Sequence, residues 1–292
     1  MEHRFENNPI LTKADLKPSR SDWQIECVLN PGVFSFQGKI WLLLRVAERP
    51  IQKRGLVSLP IYTQNGGVEI IEFEEEDPSW DTSDPRKFTR DGTTYLSTIS
   101  HLRLVCSDDG IRFTKPETIP NIISSSGRYE TYGIEDCRVS YLEGKYYLTY
   151  TQVSEYGVGI GLRKTEDWIH FEHRDMLFLP HNKDCALFED KIDGRYYALS
   201  RPSGIGLGGN YIWLSSSPDL IHWGNHQCIL QTRSGMWDSE RVGAGTSPIK
   251  TSEGWLMIYH GADQDSRYCL GAALLDLNHP GKVIARSKEP LM

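Results

Sequence analysis

Short apolar stretches and polar, glycine-containing stretches alternate along the chain, and their order recurs five times. Each copy has a polar or proline-containing lead, an apolar stretch, a turn with glycine, and a second stretch rich in aromatic and aliphatic residues. The copies begin at Asn30, Asp84, Glu135, Lys183 and Ala244. The alternation of Tyr, Leu and Ile beside each turn favours β-strands, and helical periodicity with capping residues is nearly absent. The pattern predicts an all-β chain built from five hairpins.

The turn glycines set the period of this repeat. Gly38, Gly92, Gly144, Gly194 and Gly254 are separated by 54, 52, 50 and 60 residues, which is the size of a propeller blade. Glycine suits these positions because tight hairpin turns need positive φ. We therefore predict that residues 1–292 form a single five-bladed β-propeller domain, with inner strands that start near residues 30, 84, 136, 184 and 245.

A second repeated element follows three of the hairpins. It reads SDDGIRF from Ser107, TEDWIHF from Thr165 and SPDLIHW from Ser217, and it is expected to supply outer strands and their turns. His170 and His222 occupy equivalent positions in it, which favours a structural role for both. The pairs His170/His173 and His222/His226 also lack the ligand spacing of a tetrahedral zinc site. No metal site is predicted.

Charge and composition limit the function classes. A net charge of −7 disfavours a nucleic-acid partner, and an anionic ligand would need a local basic pocket. The first 16 residues contain no apolar segment, and no run of about 18 apolar residues occurs elsewhere. Six cysteines without CxxC spacing predict no disulfide framework. We expect a cytoplasmic protein without membrane contact and without cofactors.

Polar residues recur at one position of the repeat. Counting back eight residues from the turn glycines gives Asn30, Asp84, Asp136 and Thr246, and Asp184 lies ten back in the copy with the longer turn. Residues at the mouth ends of propeller inner strands converge around the central channel, so these side chains are predicted to meet there. Arg86 and Arg138 follow the aspartates at equivalent positions. For Asp84 and Arg86, stabilisation of the repeated turn is an equally good interpretation.

One hairpin carries a specific motif. GIEDCRVSYLEGKYYLTYT, from Gly133, resembles the Gly-Ile-Glu-Asp-Pro-Arg segment of glycoside hydrolase family 130, the β-mannoside phosphorylases and related hydrolases. The resemblance covers most of the chain, through NPG at Asn30, LLLR ending at Arg45, KD at Lys183, and GAGTSPI followed by GWLMIYHGA. Cys137 stands where the family usually has proline. The resemblance implies a five-bladed propeller, in agreement with the repeat count.

The same resemblance implies a mechanism. Asp136 corresponds to the family's catalytic acid, which relays a proton through the 3-hydroxyl of mannose to the glycosidic oxygen while inorganic phosphate attacks C1 from the opposite face. Phosphate removes the need for the second carboxylate of an ordinary inverting glycosidase, but cations must hold it at fixed positions. The predicted phosphate-binding residues are Arg45, Arg138, Lys183, Arg241 and His260.

Other side chains are assigned to the sugar. Hydrogen bonds to sugar hydroxyls are predicted for Asn30, Asp84, Arg86, Glu135, Asp184, Tyr259 and Asp263. Tyr132, Tyr156 and Trp237 are candidates for stacking on sugar rings, and packing between blades is the alternative for each.

The predicted enzyme is an inverting glycoside phosphorylase that converts a β-mannoside and inorganic phosphate, a co-substrate, into α-mannose 1-phosphate. A β-1,2-linked manno-oligosaccharide is the expected substrate, with β-1,4-linked and mannosyl-glucose substrates as alternatives. A β-mannoside hydrolase on the same fold is kept open by Glu135 and Glu240. A non-catalytic sugar-binding propeller should carry near-identical sites in each blade, whereas the equivalent positions here differ. Exposed blade edges make a homo-oligomer plausible.

Overall fold

The computed structural model describes residue 6, residues 8–204 and residues 208–292, without the side chains of residues 174 and 175. Within these residues it contains a short 3₁₀ helix, Lys13–Asp15, and 22 strands. The strands are β1 (Trp23–Phe36), β2 (Lys39–Pro50), β3 (Leu56–Tyr62), β4 (Val68–Glu74), β5 (Asp81–Asp84), β6 (Lys87–Arg90), β7 (Thr93–Leu96), β8 (Ile99–Ser107), β9 (Ile122–Ile123), β10 (Gly133–Leu142), β11 (Lys145–Ser154), β12 (Gly157–Thr165), β13 (Glu172–Phe178), β14 (Asn182–Leu187), β15 (Tyr196–Pro202), β16 (Ile212–Ser217), β17 (Gly224–Leu230), β18 (Arg241–Ala244), β19 (Ile249–Lys250), β20 (Trp255–Ala262), β21 (Tyr268–Leu275) and β22 (Val283–Arg286). The predicted all-β class is confirmed.

The five predicted hairpins are present, formed by β1–β2, β6–β7, β10–β11, β14–β15 and β19–β20. Four of them turn through a pair of residues that both have positive φ, 49° to 51° at the first and 72° to 80° at the glycine. These pairs are Gln37-Gly38, Asp91-Gly92, Glu143-Gly144 and Asp193-Gly194. Positive φ at both central residues is the geometry of a type I′ turn, whose twist matches that of the strands. The role predicted for these four glycines is confirmed.

The fifth turn differs. Gly254 has a φ of 157°, and the turn is closed by a hydrogen bond from the Thr251 amide to the Gly254 carbonyl at 2.9 Å. Its glycine was assigned correctly to a turn, but the turn type is not the one shared by the other four hairpins.

The described chain divides into two compact units. The first contains the described residues up to Cys137 together with Gln152–Gly157. The second contains Arg138–Thr151 and the described residues from Val158 onward. Strands β10 and β11 each have residues in both units, so Asp136 and Arg138 belong to different units although they are two residues apart on one strand.

In the first unit, β2 pairs antiparallel with β1 and with β8, and β10 joins β8 through one parallel pair, Gly133 with Ser100. Two smaller sheets, β3–β4 and β5–β6–β7, complete it. Leu42, Leu44 and Val105 pack in one core cluster. The residues between them are buried as well, so both faces of β2 and β8 are covered.

In the second unit, one antiparallel sheet has the order β14–β15–β16–β17, and another has the order β18–β20–β21–β22 with β19 paired to β20. A continuous core lies beneath these strands and includes Phe188, Trp255, Met257 and Tyr259. No closed sheet occurs among the described residues. The arrangement of the hairpins as five blades stays a prediction. No helix in the described part of the chain is long and apolar enough to span a membrane.

The second repeated element is a turn closed by an aspartate. In each copy the carboxylate accepts hydrogen bonds at 2.8 or 2.9 Å from two backbone amides that follow it; the three residues are Asp109, Asp167 and Asp219. Nδ1 of His170 and Nδ1 of His222 each lie 2.7 Å from the carboxylate of their own turn. The equivalent, structural role predicted for these histidines is confirmed.

The strand that carries Asp136 begins at a glycine that has no room for a side chain. Gly133 has a φ of 116°, and a Cβ there would lie 2.3 Å from the Ser100 carbonyl oxygen and 2.5 Å from the Ser100 nitrogen. We expect Gly133→Ala to lower the free energy of unfolding by about 3 kcal/mol or more, because overpacking against backbone adds to the cost of positive φ. Urea denaturation measures this loss.

Gly144→Ala is the matched control. Gly144 lies at the other end of the same hairpin with a φ of 80°, and its Cβ would meet nothing within 4 Å. Only the backbone term applies there, so we expect a loss of about 1 kcal/mol. Equal losses in the two variants would contradict the close approach of β10 to Ser100.

Candidate active site

Asp136 lies in the first unit, where an amide and a guanidinium orient its carboxylate. Asn30 Nδ2 donates to Asp136 Oδ1 at 3.0 Å, and Arg45 Nη1 donates to the same oxygen at 3.2 Å. These residues come from β10, β1 and β2, so three strands converge on one carboxylate. Asn30 and Asp136, two of the five residues that the repeat predicts to converge, are thus in contact, and Arg45 lies beside them. For Asp84, Asp184 and Thr246 the convergence with Asp136 stays a prediction.

Arg45 also binds the neighbouring carboxylate. Its Nη2 donates to Glu135 Oε1 at 2.7 Å, and Ser100 Oγ donates to that same oxygen at 3.1 Å. Burial opposes the charge of Arg45, but the two carboxylates outweigh burial and raise the pKa of its guanidinium. Arg45 is therefore a permanent cation held between Glu135 and Asp136.

Three equivalent positions of the repeat share an unusual backbone. Asn30, Asp136 and Asp184 have φ values of 40°, 49° and 54°. The strand registers shift at two of these places, between Leu29 and Gly32 in β1 and between Lys183 and Ala186 in β14. Such bulges redirect a side chain out of the strand pattern, and Asn and Asp tolerate the left-handed region better than other side chains.

Asp184 forms a second cluster, in the second unit. Arg201 Nε donates to its Oδ2 at 2.7 Å, Arg138 Nη2 donates to its Oδ1 at 3.3 Å, and His260 Nε2 lies 3.4 Å from its Oδ2. The Asp184 side chain is only 6% exposed. Burial would raise the pKa of this carboxyl, but the hydrogen bond from His260 and the charges of Arg201 and Arg138 hold it well below its usual value.

The surrounding backbone fits closely around this cluster. Arg138 also donates to the carbonyl oxygens of Ala244 at 2.8 Å and Gly245 at 3.1 Å. A Cβ on Gly243 would lie 2.3 Å from Asp184 Oδ2 and 2.6 Å from the His260 ring. Two arginines and an imidazole thus surround one carboxylate, and the cluster has the surplus of positive charge that an anionic ligand requires.

Arg201 was missed in the sequence, although a signal was present. It lies seven residues after Gly194, as Arg45 lies seven residues after Gly38. In the structure Arg201 pairs across the hairpin with Lys183, and Arg45 pairs with Leu29, in both cases beside the residue with positive φ. The equivalent positions in the repeat could therefore have identified Arg201 as the counterpart of Arg45.

The remaining predicted phosphate ligands also lie in the second unit. Arg241 Nη1 donates to the Tyr268 hydroxyl at 3.2 Å, and the buried Nε of Arg241 has no hydrogen-bond partner among the described residues. The His260 ring lies 5.9 Å from that of Tyr268. Lys183 is half-buried, and no described residue forms a side-chain hydrogen bond or ion pair with it.

Asp84, Arg86 and Asp263 are engaged locally. Arg86 folds back on Asp84 through Nε at 3.0 Å and Nη2 at 2.9 Å, and these bonds lower the pKa of Asp84 to about 2. The Arg86 side chain is 87% exposed. Asp263 accepts from the Asp265 and Arg267 amides at 3.1 and 2.9 Å. These contacts are those of stabilised turns, the alternative interpretation for Asp84 and Arg86.

Tyr259 is buried in the core, where a sugar has no access. Its hydroxyl donates to Asp238 Oδ2 at 2.9 Å and accepts from Arg286 Nε at 3.0 Å, and its side chain has no exposed surface. Trp237 stacks on it with ring centroids 5.5 Å apart and is itself buried. The direct sugar contact predicted for Tyr259 does not fit this burial, because an apolar strand pattern and a core hydrogen-bond network place it inside.

The three aromatic residues predicted to stack on sugar rings differ in their exposure to solvent. Tyr132 and Trp237 are buried. The Tyr132 hydroxyl donates to the Thr94 carbonyl at 2.7 Å, and Trp237 Nε1 donates to the Lys288 carbonyl at 3.0 Å. These two pack internally, as the alternative interpretation held. Tyr156 is 58% exposed and is the one of the three that offers its ring to solvent.

Comparison with known proteins gives consistent matches over nearly the whole chain. A family model described as beta-1,4-mannooligosaccharide phosphorylase matches residues 93–292. A beta-1,2-mannobiose phosphorylase of Listeria innocua serovar 6a is 42% identical, over 99% of this chain and 83% of that protein. A beta-1,2-mannobiose phosphorylase of Thermoanaerobacter sp. is 38% identical, over 99% of this chain and 82% of that protein.

A solved structure agrees with these sequence matches. The Listeria innocua beta-1,2-mannobiose phosphorylase in complex with beta-1,2-mannobiose superimposes with a TM-score of 0.91 at 41% identity, and the alignment covers 99% of this chain and 83% of that one.

Proposed function

The chain belongs to glycoside hydrolase family 130, and from this membership we infer that it is a phosphorylase of β-mannosides. It transfers a mannosyl group from a β-1,2-linked manno-oligosaccharide to inorganic phosphate and releases α-mannose 1-phosphate with inversion at C1. The observation that carries this proposal beyond the family is the surplus of cations around Asp184, which suits a phosphate nucleophile.

Asp136 is the proposed acid. It gives a proton, relayed through the 3-hydroxyl of the mannosyl unit, to the glycosidic oxygen as the bond from C1 to that oxygen breaks. A phosphate oxygen forms the new bond to C1 from the opposite face, so no second carboxylate is needed as a base. Asn30 and Arg45, which both bind Oδ1 of Asp136, support this role because they fix the orientation of the carboxylate.

Phosphate is held by the cations. We assign this role to residues of the second unit, Arg138, Lys183, Arg241 and His260, and we add Arg201. The phosphate contact of Arg45 stays a prediction from the sequence. Among the described residues, the Lys183 amine and the Nε of Arg241 have no hydrogen-bond partner, and this supports their assignment because each offers a charged donor to a ligand. Asp184, which is enclosed by Arg138, Arg201 and His260, acts as their counter-ion rather than as a sugar ligand. Sugar contacts by Asn30, Asp84, Arg86, Glu135 and Asp263 stay predictions.

The alternatives are weaker. A hydrolase needs a free carboxylate to activate water, and Glu135 is not free because Arg45 and Ser100 engage it. The hydrolase alternative then depends on the exposed Glu240. A five-bladed propeller of one domain, a cytoplasmic location and a homo-oligomer remain predictions from the sequence, and phosphate is proposed as a co-substrate without a further cofactor.

Phosphate dependence tests the proposed function. Incubation with β-1,2-mannobiose should yield mannose 1-phosphate and mannose when phosphate is present and no sugar release without it. Lys183→Ala should raise the KM for phosphate about tenfold or more, the effect of losing a charge-assisted hydrogen bond, and should leave the KM for mannobiose within about twofold.

Lys53→Ala is the control, because Lys53 is a lysine whose side chain is 74% exposed, and its phosphate KM should not change. Release of mannose that ignores phosphate would establish hydrolysis instead. An unaltered phosphate KM in Lys183→Ala would remove Lys183 from the phosphate site.

A further inference from the structure

An exposed tyrosine, a half-buried tyrosine and an exposed arginine lie together on the surface of the first unit; they are Tyr156, Tyr129 and Arg128. The rings of Tyr129 and Tyr156 lie edge to face with centroids 5.7 Å apart, and the Arg128 guanidinium lies 4.5 Å from the Tyr129 ring. Arg128 also donates a hydrogen bond to the Tyr129 hydroxyl. We call Arg128, Tyr129 and Tyr156 the aromatic platform. The Tyr156 ring is 58% exposed, and a large exposed ring that rests on a second ring is typical of a binding surface.

The segment that carries the platform is fixed by buried contacts. Glu130, fully enclosed, accepts from the Ser126 amide at 2.8 Å, and its carbonyl accepts from the Gly133 amide at 2.9 Å. On the other side, the Tyr156 amide donates to Ser154 Oγ at 3.3 Å in the turn between β11 and β12. The platform therefore presents its rings from an ordered backbone, which lowers the entropy cost of binding.

The platform lies at the end of β10 where the proposed acid is found. The Tyr132 amide donates to the Val153 carbonyl at 2.9 Å, which joins the segment before β10 to the end of β11. Asp136 is the fourth residue of β10, so it lies about 10 Å along the strand from Gly133 at about 3.3 Å per residue. Residues 128–132 and Tyr156 thus flank the starting end of the strand that carries Asp136.

The chemistry of the platform fits a sugar. A tyrosine ring offers an apolar face with a polar rim, which matches a pyranose, whose C–H groups form apolar faces and whose hydroxyls lie at the edge. Arg128 adds charged donors for those hydroxyls. A nucleic acid or another polyanion would need a wider basic surface than a single arginine on an acidic protein.

We propose that the aromatic platform binds the leaving-group part of the oligosaccharide, the sugar units beyond the bond that is cleaved. This inference rests on the proposed function. Release of mannose 1-phosphate means that one mannosyl unit lies on the donor side of the bond, so a second sugar-binding surface near Asp136 serves the remainder of the chain. Tyr156 supplies the stacking face, and Tyr129 and Arg128 hold it and line its edge.

In the reverse reaction, the sugars on the two sides of the glycosidic bond are separate substrates, so a KM can be measured for each. With mannose 1-phosphate as donor and β-1,2-mannobiose as acceptor, Tyr156→Ala should raise the acceptor KM about tenfold, the scale of one aromatic contact. The KM for mannose 1-phosphate and kcat should stay within about twofold of wild type. Tyr156→Phe should behave like wild type, because stacking needs the ring and not the hydroxyl.

Tyr141→Ala is the matched control. Tyr141 is 51% exposed and pairs with Tyr146 at 4.8 Å near the other end of β10, and its loss should leave the acceptor KM unchanged. An unchanged acceptor KM in Tyr156→Ala, or an equal rise in both KM values, would overturn the proposal.

A binding measurement keeps the two hypotheses separate. If the wild-type protein forms no product from mannose 1-phosphate, the proposed function fails, and the platform is then tested by calorimetric titration with β-1,2-mannotriose. Weaker binding in Tyr156→Ala than in Tyr141→Ala would support the platform, and equal binding would reject it.

Discussion

Asp136→Asn is expected to fold like the wild-type protein and to lose at least about a hundredfold in kcat, the scale of a missing general acid. Asparagine keeps the size of the side chain, tolerates the φ of 49° and can still bond to Asn30 and Arg45. It cannot supply the proton that the glycosidic oxygen takes up. Circular dichroism and the thermal midpoint should match wild type, while mannose 1-phosphate formation from β-1,2-mannobiose falls.

Asp91→Asn is the control for this change. Asp91 has nearly the same φ, 50°, and a side chain that is 92% exposed in a hairpin turn. The same change from Asp to Asn is therefore made in the same backbone conformation but outside the candidate active site. Its activity should equal that of wild type. Retention of more than about a tenth of wild-type kcat in Asp136→Asn would assign the acid to another residue.

Asp184→Asn is expected to lower both stability and phosphate use. It leaves Arg138 and Arg201 enclosed without their counter-ion, and breaking a buried ion pair costs about 3–5 kcal/mol. At about 2–4 °C per kcal/mol, the thermal midpoint should fall by roughly 6 °C or more. The KM for phosphate should rise as well, because the arginines lose the anion that orients them.

The dependence of stability on pH gives a second test of the Asp184 carboxylate. Its pKa is lower in the folded protein than the 3.8 of an ordinary aspartate, so it stabilises the fold above pH 3.8. This contribution is lost as the pH falls from 3.8 through the lower, folded-state pKa. The midpoint of wild type should therefore drop faster below pH 4 than that of Asp184→Asn.

Asp190→Asn serves as the control, since Asp190 is half-exposed and pairs with Lys250 on the surface. Exposed pairs contribute at most about 1 kcal/mol, so its midpoint should move by less than about 4 °C. A similar shift in both variants would show that Asp184 is not the centre of a buried ionic cluster.

The hairpins and their turns could be predicted because their causes are local. A glycine preceded by Gln, Asp or Glu between apolar stretches specifies a type I′ turn through the conformational freedom of a few residues, and four turns have this form. Asp109, Asp167 and Asp219 likewise close their turns through amides two and three residues away. The number of blades depends on contacts between distant parts of the chain, which no local pattern fixes.

The site was predicted in part for the same reason. The contact between Asn30, Arg45 and Asp136 could be expected because the repeat places them at hairpin ends. Tyr259 was misplaced because Tyr-His in β20 reads alike whether the ring points into the core or out of it. The surroundings of Asp184 were also hidden, since a lone aspartate in a strand does not reveal two arginines and a histidine from other segments.

The left-handed backbone at Asn30, Asp136 and Asp184 also bears on how this enzyme evolves. At such positions selection has few residues to choose among, chiefly Asn, Asp and Gly. The codons of Asn and Asp differ by one base, so a single mutation converts an amide that can bind a substrate into a carboxylate that can transfer a proton. A duplicated hairpin can therefore gain or lose an acid in one step while its conformation is preserved.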